Sequence, residues 1–480
     1  MSKRVKAGLV LLSAEWFTQI AYDTTDDATA NINDMVQDSA KKAVASISKF
    51  YDVVHPEIIT SVAQAKDACD EFRKENIDVI ILVNLIYSGD DPIIEVVRQM
   101  PGIPMLLWSY NVYKKIPRIT GMCEYFSVTG APGMLQGVAP LKRMGVNFGF
   151  VLGVPGDERL ESELHDWAVA LSVRKRMADL NIMSVGRRYE PMSGAWIDEL
   201  KMKARLGPKM VWISAFEFAQ EVKNLDEEMV KKFAEGEKAK YPVKDISDED
   251  IIASAKASIA CYNLCKKYNC EVLSFQDMDE EVHDFVGCRP QMTYQPMFDE
   301  GISAGMEADI DSALCTWILQ NLSEGPSMYG EILTYDEVEN FLVIGHASMH
   351  DLRLAKEETI SLIPDLEFQY ADKYKGVWDE FISKPGEVSL VAMFEDNDNY
   401  QFVAVTGESL DMPVWVPGYG QALVRTEIPM VNFMKAICEY GVTQHFALCF
   451  GNVKPRLEIL SKEMGIKYID LNKQYKLGLI

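Results

Sequence analysis

The stretch IDVIILVNLIYSGDDP, residues 77 to 92, begins as an almost unbroken apolar run and ends on serine, glycine, two aspartates and a proline. Strict alternation would mark a strand with one wet face. A continuous run of β-branched and aliphatic residues marks a strand buried on both faces. Three more runs of this kind share the first 150 residues: VKAGLVLL (5–12), IPMLLW (103–108) and VNFGFVL (146–152). Helical patterns lie between them, among them NDMVQDSAKKAVASISKFY (33–51) and SVAQAKDACDEFRKE (61–75). This alternation predicts a parallel sheet covered by helices on both faces, a doubly wound, Rossmann-like α/β domain over residues 1–178. Ligands of such sheets bind beyond the C-terminal strand ends. That rule puts SAEWF (13–17), with Glu15 and Trp16, and YSGDDP, with Asp90, on the rim of a crevice. A nucleotide is not expected there. GVPGDE (153–158) lacks the G-x-G-x-x-G spacing, and VTGAPGMLQG (128–137) does not match a phosphate-binding loop.

The pattern continues in a second α/β segment, residues 179–324, where NIMSVG, KMVWIS and CEVLSF read as strands between long helices. The charged stretch AEGEKAKYPVKDISDEDI (234–251) reads as an exposed connection between helices. Beyond residue 325 the texture changes. EFQYA, EVSLVAMFE, YQFVAVTG and QALVRTEI are strand-like with few helices between them, which predicts a β-rich, mainly antiparallel third domain over 325–480.

Composition narrows the function classes. The chain has 480 residues, too many for one ordinary core, with 48 Lys and Arg against 72 Asp and Glu, a formal charge of −24. Such an excess of negative charge repels a phosphate backbone, so nucleic acid is not an expected partner. No apolar run reaches the ~18 residues that a membrane span needs. The apolar part of MSKRVKAGLVLLSAEW is too short for a signal-peptide core. The nine cysteines contain no C-x-x-C pair, and Cys261 and Cys265 fall on a helix face, so a reduced, cytoplasmic compartment is expected.

Candidate chemistry concentrates late in the chain. In GISAGMEADIDSALCTWILQ (301–320), Ile310, Leu314, Trp317 and Ile318 recur at helical spacing, and Glu307 extends the same stripe while Asp309 points away and Asp311 sits at its margin. An acid there is either a helix-start residue favoured by the dipole or a ligand facing a cavity. In GPSMYGEILTYDEVEN (325–340), Glu331 has the least polar surroundings, and Asp336 is its rival among solvated turn acids. FLVIGHASMHDL (341–352) places His346 at a strand end and His350 in the loop beyond, so the two histidines do not share a helix face. Ala347 stands where a zincin-type H-E-x-x-H motif needs glutamate. In QHFALCF (444–450), alternation puts His445 on one face with Ala447 and Cys449, as a core histidine or a ligand. His55 and His165 suggest no role, and His283 in DEEVHDF reads as a solvated helix residue.

Taken in order, GMEADIDSAL, GPSMYGE, VIGHASMHD and VTQHFALCFGN resemble the L-arabinose isomerase and L-fucose isomerase superfamily over nearly the whole chain. The resemblance implies two doubly wound α/β domains and a β-rich C-terminal domain. It implies a divalent metal, most simply manganese with cobalt or magnesium as alternatives, held by Glu307, Glu331, His346 and His445. It implies catalysis by Glu307 and Glu331, interconverting a C5 or C6 aldose and its ketose through an enediol(ate). Glu15, Trp16, Asp90, Phe275 and Gln444 are candidates for sugar contacts. A homo-oligomer, trimer or hexamer, with the site shared between subunits, is also implied. The chain departs from the family where Gln444 replaces a histidine, where SMYGE carries one residue more than the family's H-M-L-E, and at SVTGAPGMLQG. These departures point to a divergent member acting on another aldose, a deoxy or charged sugar. The competing expectations are a non-catalytic sugar-binding or regulatory protein on the same scaffold and a metal-dependent sugar hydrolase or lyase.

Overall fold

The run at 77–92 forms a strand, Val79–Asn84, buried along its whole length. The computed structural model describes residues 4–16, 27–119, 122–367, 376–397 and 399–480. Phe17 of SAEWF and residues 368–371 of the expected strand EFQYA lie outside them. The chain divides into two compact units, Met1–Lys175 and Arg176–Ile480.

The first unit is built on β1 (Val5–Leu12), β2 (Tyr51–Val54), β3 (Ile58–Ile59), β4 (Val79–Asn84), β5 (Met105–Tyr110) and β6 (Gly149–Gly153). They form one parallel sheet in the order β2-β1-β4-β5-β6, with β3 beside the end of β1. The order reverses at β1, so the strand direction opens a switch-point crevice between β1 and β4. Its core is aliphatic, with Val10, Leu12, Phe72, Ile80, Leu82, Val96 and Leu107 packed together.

The second unit holds two sheets. The first comprises β7 (Asn181–Val185), β8 (Lys209–Ile213), β9 (Val272–Phe275) and β10 (Ser303–Met306), all parallel, in the order β10-β9-β7-β8. The other has nine strands: β11 (Ser327–Asp336), β12 (Phe341–His346), β13 (Ser361–Pro364), β14 (Val377–Ile382), β15 (Gly386–Asp396), β16 (Asn399–Ser409), β17 (Gly420–Thr426), β18 (His445–Phe450) and β19 (Lys467–Asp470). Their order is β13-β14-β17-β12-β11-β18-β15-β16-β19. Most neighbours run antiparallel, but β14–β17 and β16–β19 are parallel, so the sheet is mixed. Each of the segments 1–178, 179–324 and 325–480 contains one sheet, while the last two sheets belong to a single compact unit. One apolar cluster explains that union: Met183, Leu273 and Phe275 of the parallel sheet pack with Tyr329, Met349 and Leu362 of the mixed region.

A helix, Ile310–Ser323, sits between those sheets. It packs against β9, β10, β11, β15 and β18. Nearly every position from Ile310 to Leu322 is buried, polar Asp311, Ser312, Thr316 and Gln320 included, so the helix is covered all round rather than along a single stripe. The helix also starts later than its pattern suggested. SAGM is a strand, and Glu307 lies between that strand and the helix with φ 60°, followed by Ala308 at 54°. Asp309, expected to point away, is the N-cap and accepts from the backbone N–H of Ser312 at 3.0 Å.

Candidate metal and catalytic site

Glu307, His346 and His445 reach one another from three elements. Glu307 follows the C-terminal end of β10, His346 ends β12, and His445 opens β18. Each offers a ligand atom within 4.8 Å of the others. Glu307 Oε2 lies 3.3 Å from His445 Nε2, and Glu307 Oε1 lies 3.9 Å from His346 Nε2. The two imidazole centroids are 5.3 Å apart, and the ring of Tyr329 touches both, at 5.0 Å and 4.8 Å. The Tyr329 hydroxyl donates to the Met306 carbonyl at 3.2 Å, which ties β11 to the residue before Glu307.

The orientation of each ring is set by its other nitrogen. His346 Nδ1 faces the Ala347 carbonyl at 3.3 Å, an atom that can only accept, so Nε2 keeps its lone pair toward Glu307. His445 Nδ1 donates to Asp309 Oδ2 at 2.8 Å. The carboxylate–histidine arrangement that orients metal-binding imidazoles is therefore present, and Asp309 supplies the acceptor that the sequence did not reveal. Charge separates the two rings. Burial and the neighbouring His445 push His346 down to about 3, so it is neutral. Burial works against the imidazolium of His445 too, but hydrogen bonds to Asp309 and Glu307 outweigh it and lift the group to about 9.

The carboxylates also diverge. Glu307 is held below the ordinary glutamate range, burial being overcome by the hydrogen bond to His445 and the field of both histidines. Glu331 is raised, by burial and by the negative charges of Glu307 and Glu367, against the pull of His445. Glu331 pairs in register with His445 on β18 and Gly345 on β12, which places it beside the triad although not among the three mutually close groups. Asp336 lies five residues further along β11, about 16 Å at ordinary strand rise. There it accepts from the backbone N–H groups of Val338 and Glu339 at 2.8 Å each, as a turn-capping residue away from the triad.

The other expected residues sort differently. Gln444 is at the site, its amide nitrogen 3.4 Å from Glu307 Oε2 and 3.3 Å from His445 Nε2. Phe275, expected near the sugar, is a fully buried core side chain packed edge-on against Phe218. Strand period explains the difference, because Asp277, two residues past β9, meets the site rather than the strand's last inward side chain. Glu15, Trp16 and Asp90 lie in the first unit. Trp16 is exposed and meets Phe126 edge-on, and Asp90 precedes the helix Asp91–Gln99. His350 donates through Nε2 to the His346 carbonyl at 2.9 Å and so touches the candidate ligand's backbone, not the triad. His283, expected to be solvated, is buried and bonds to the Asp277 carbonyl at 2.7 Å.

Sequence reading missed the acids and amides beneath the triad. Asp277, just past β9, accepts from the backbone N–H of Glu307 at 3.2 Å and pairs with Arg289 at 3.0 Å. Burial lifts Asp277 to about 7 against the pull of that guanidinium. The available signal was a short apolar strand, CEVLSF, followed at once by the polar QDMD, the pattern of a parallel strand end.

The three groups offer two nitrogens and a carboxylate in a buried site, with an orienting carboxylate behind one imidazole. That donor set fits a borderline divalent cation. No protein-family model matches the chain. It is similar to the sulfoquinovose isomerase of Priestia aryabhattai, 23% identical over 423 residues, which cover 86% of this chain and 90% of that one. The sulfoquinovose isomerase of Alkalicoccus urumqiensis is 22% identical over 397 residues, 82% of this chain and 86% of its own. That of a Clostridium species is 20% identical over 376 residues, 77% and 81% of the two chains.

Proposed function

We propose that the chain is a metal-dependent aldose–ketose isomerase in which Glu307, His346 and His445, with Glu331 beside them, form the reaction centre. Its coarser part, an isomerase acting on sugars, follows from the likeness to sulfoquinovose isomerases along most of both chains. The finer part rests on one observation. Two carboxylates at one site have been pushed in opposite directions, Glu307 toward the ionised form and Glu331 toward the protonated form. Divergence of this kind supports reading Glu307 as the base and Glu331 as the acid.

Isomerisation takes a proton from C2 of the aldose and returns one to C1, while the hydroxyl proton on O2 is lost and O1 gains one. Glu307, held toward its ionised form, can take the proton from C2 and return it at C1. Glu331, which burial makes a stronger holder of its proton than a free glutamate, can give a proton to a developing oxyanion and take it back. Neutral His346 presents a lone pair, and His445, fixed by Asp309, turns Nε2 toward the same point. A divalent ion bound by these three side chains supplies polarisation of the adjacent carbonyl and hydroxyl oxygens. Tyr329 walls the site with an apolar face and excludes water beneath the rings.

The relatives' name makes a sulfonated hexose the first substrate to test. A fixed anion needs cations, and the loop after β7 brings Arg187 and Arg188 to the strand ends. Its Met192 touches the Gln444 amide at 3.8 Å. The expected place in the L-arabinose and L-fucose isomerase superfamily, manganese as the ion, and an assembly of three or six copies belong to the same proposal. The experiment is turnover of an aldose panel, sulfoquinovose, glucose, L-arabinose and L-fucose among them, with and without Mn²⁺, beside Glu331→Gln. Ketose formation that needs the ion and falls at least ~100-fold in Glu331→Gln is expected. Sugar-induced stabilisation without turnover of any aldose, in protein carrying Mn²⁺, sinks the proposal.

A further inference from the structure

Glu307 comes from the parallel sheet, whereas His346 comes from the mixed sheet. Three side chains connect the two segments from below. Asp277 Oδ1 holds the Glu307 N–H, and Asp277 Oδ2 receives both Arg289 Nη1 (3.0 Å) and Gln291 Nε2 (3.3 Å). The same Gln291 nitrogen donates to the Ala347 carbonyl at 3.0 Å, the very oxygen that fixes the His346 ring. Arg289 is clamped in turn, with Nε and Nη2 on Asp365 at 2.9 Å and 2.7 Å, Nη1 on Glu367 at 2.8 Å, and Trp378 over its plane.

We infer that Arg289, Asp277 and Gln291 are positioning residues, a bonded bridge that sets the separation between Glu307 and His346. The inference rests on reading those two residues and His445 as a metal site. Two features favour this role over simple packing. Glu307 and Ala308 both occupy the left-handed region without being glycine, a strained conformation that persists only where surroundings impose it. The Asp277–Glu307 bond is such an imposition. Gln291, moreover, is 1% exposed and its Oε1 has no partner. A buried amide with an unpaired carbonyl lowers stability, so a leucine of similar volume would serve the fold better. What leucine cannot do is bond the Asp277 carboxylate and the Ala347 carbonyl together.

The bridge adds a polar tie to two sheets that the shared apolar cluster and the Tyr329–Met306 bond already join. It sits at the switch between β7 and β9, where the strand order β10-β9-β7-β8 reverses and where parallel sheets leave room for polar groups. Arg289 offsets part of the cost of burying Asp277 and keeps it aimed, and Gln291 transmits that position to the histidine strand.

Calorimetric titration of Mn²⁺ into the full-length protein tests this, with Tm measured on each variant. Gln291→Leu should keep or raise Tm yet weaken Mn²⁺ binding about 10–100-fold, the range found when groups that orient metal ligands are removed. Its kcat on an accepted aldose should fall with KM for the sugar unchanged. Asp277→Asn should do the same with some loss of Tm. Asp351→Asn is the control, a buried carboxylate bonded to Arg353 and Gln295. It should lower Tm and leave the Mn²⁺ affinity as in the wild type. Wild-type Mn²⁺ affinity and kcat in Gln291→Leu overturn the inference. Absence of Mn²⁺ binding in the wild-type protein overturns instead the reading on which it rests.

Discussion

At the C-terminal ends of the first parallel sheet, the helix Gly130–Arg143 comes so close that a Cβ on Gly130 would lie 2.6 Å from the carbonyl oxygens of Asn84 and Tyr110. At the ends of β9 and β10 in the second parallel sheet sit Asp277 and Glu307, bonded to each other, with Glu307 3.3 Å from His445 of the mixed sheet. Both sheets reverse strand order and both therefore have a crevice. The comparison teaches that a crevice becomes a reaction centre when desolvated charge is held in it. A backbone packed into the first one at the β4 and β5 ends leaves its candidate residues, Glu15, Trp16 and Asp90, on the rim. The glycines of VTGAPGMLQG thus serve close helix–sheet packing, which is why they match no phosphate loop.

The comparison breaks most directly through paired substitutions. Glu307→Gln and His346→Gln are expected to lower isomerase turnover by at least ~10³-fold, the scale of removing an essential group at a reaction centre. Glu15→Gln and Asp90→Asn are expected to change it by tenfold or less. Steady-state kinetics on one accepted aldose decides it, and equal losses in both sets would mean that the first sheet carries chemistry too. A smaller effect sharpens the second sheet's side. His445 carries a proton up to about 9, so Nε2 must lose it before holding a cation. Mn²⁺ affinity should therefore rise about tenfold per pH unit between 6.5 and 8.5, with one proton released per ion. Asp309→Asn should flatten that slope, because the carboxylate that raises His445 is gone.

The first sheet's side is tested by Gly130→Val. Overpacking against fixed backbone costs about 1–3 kcal/mol, read as a fall in the denaturation midpoint of the first unit with Mn²⁺ binding unchanged. The smallest effect concerns His350, which burial pushes down to about 4. Its folded-state value lies below the unfolded one, so the unfolded chain binds more protons between pH 4 and 6.5. Stability from this group is present above pH 6.5 and is lost as pH falls through that window. In metal-free protein, His350→Gln should reduce the acid slope of unfolding free energy by on the order of 1 kcal/mol per pH unit and leave Mn²⁺ affinity intact. A loss of the ion in His350→Gln would reassign the residue.

What was legible in the sequence followed from length and period. The first sheet announces itself in runs of six to eight apolar residues. SAGM has four small or weakly apolar residues, so β10 was hidden, and Glu307 was placed on a helix face rather than at a strand end. The ordered acids and histidines could be read because their neighbours are distinctive. Asp277, Arg289 and Gln291 could not, because their partners are dozens of residues away and nothing local separates a buried arginine from a solvated one. Asp336 and Glu331 looked alike as acids of one segment, and only the register of β11 against β18 tells them apart.

The helix Ile310–Ser323 has a consequence for how the second unit comes apart. It is the shared wall of both sheets, it bonds to β15 through Cys315 and the Val391 carbonyl, and its cap holds His445. Neither sheet can open without exposing it, and its buried Ile310, Leu314, Trp317, Ile318, Leu319 and Leu322 make that exposure costly. The two layers should thus unfold in one cooperative transition, and any cation gripped across them lends its binding free energy to that transition as a whole rather than to one loop. Hydrogen exchange would see this as a single slowest set of amides, drawn from β9, the helix and β18 together.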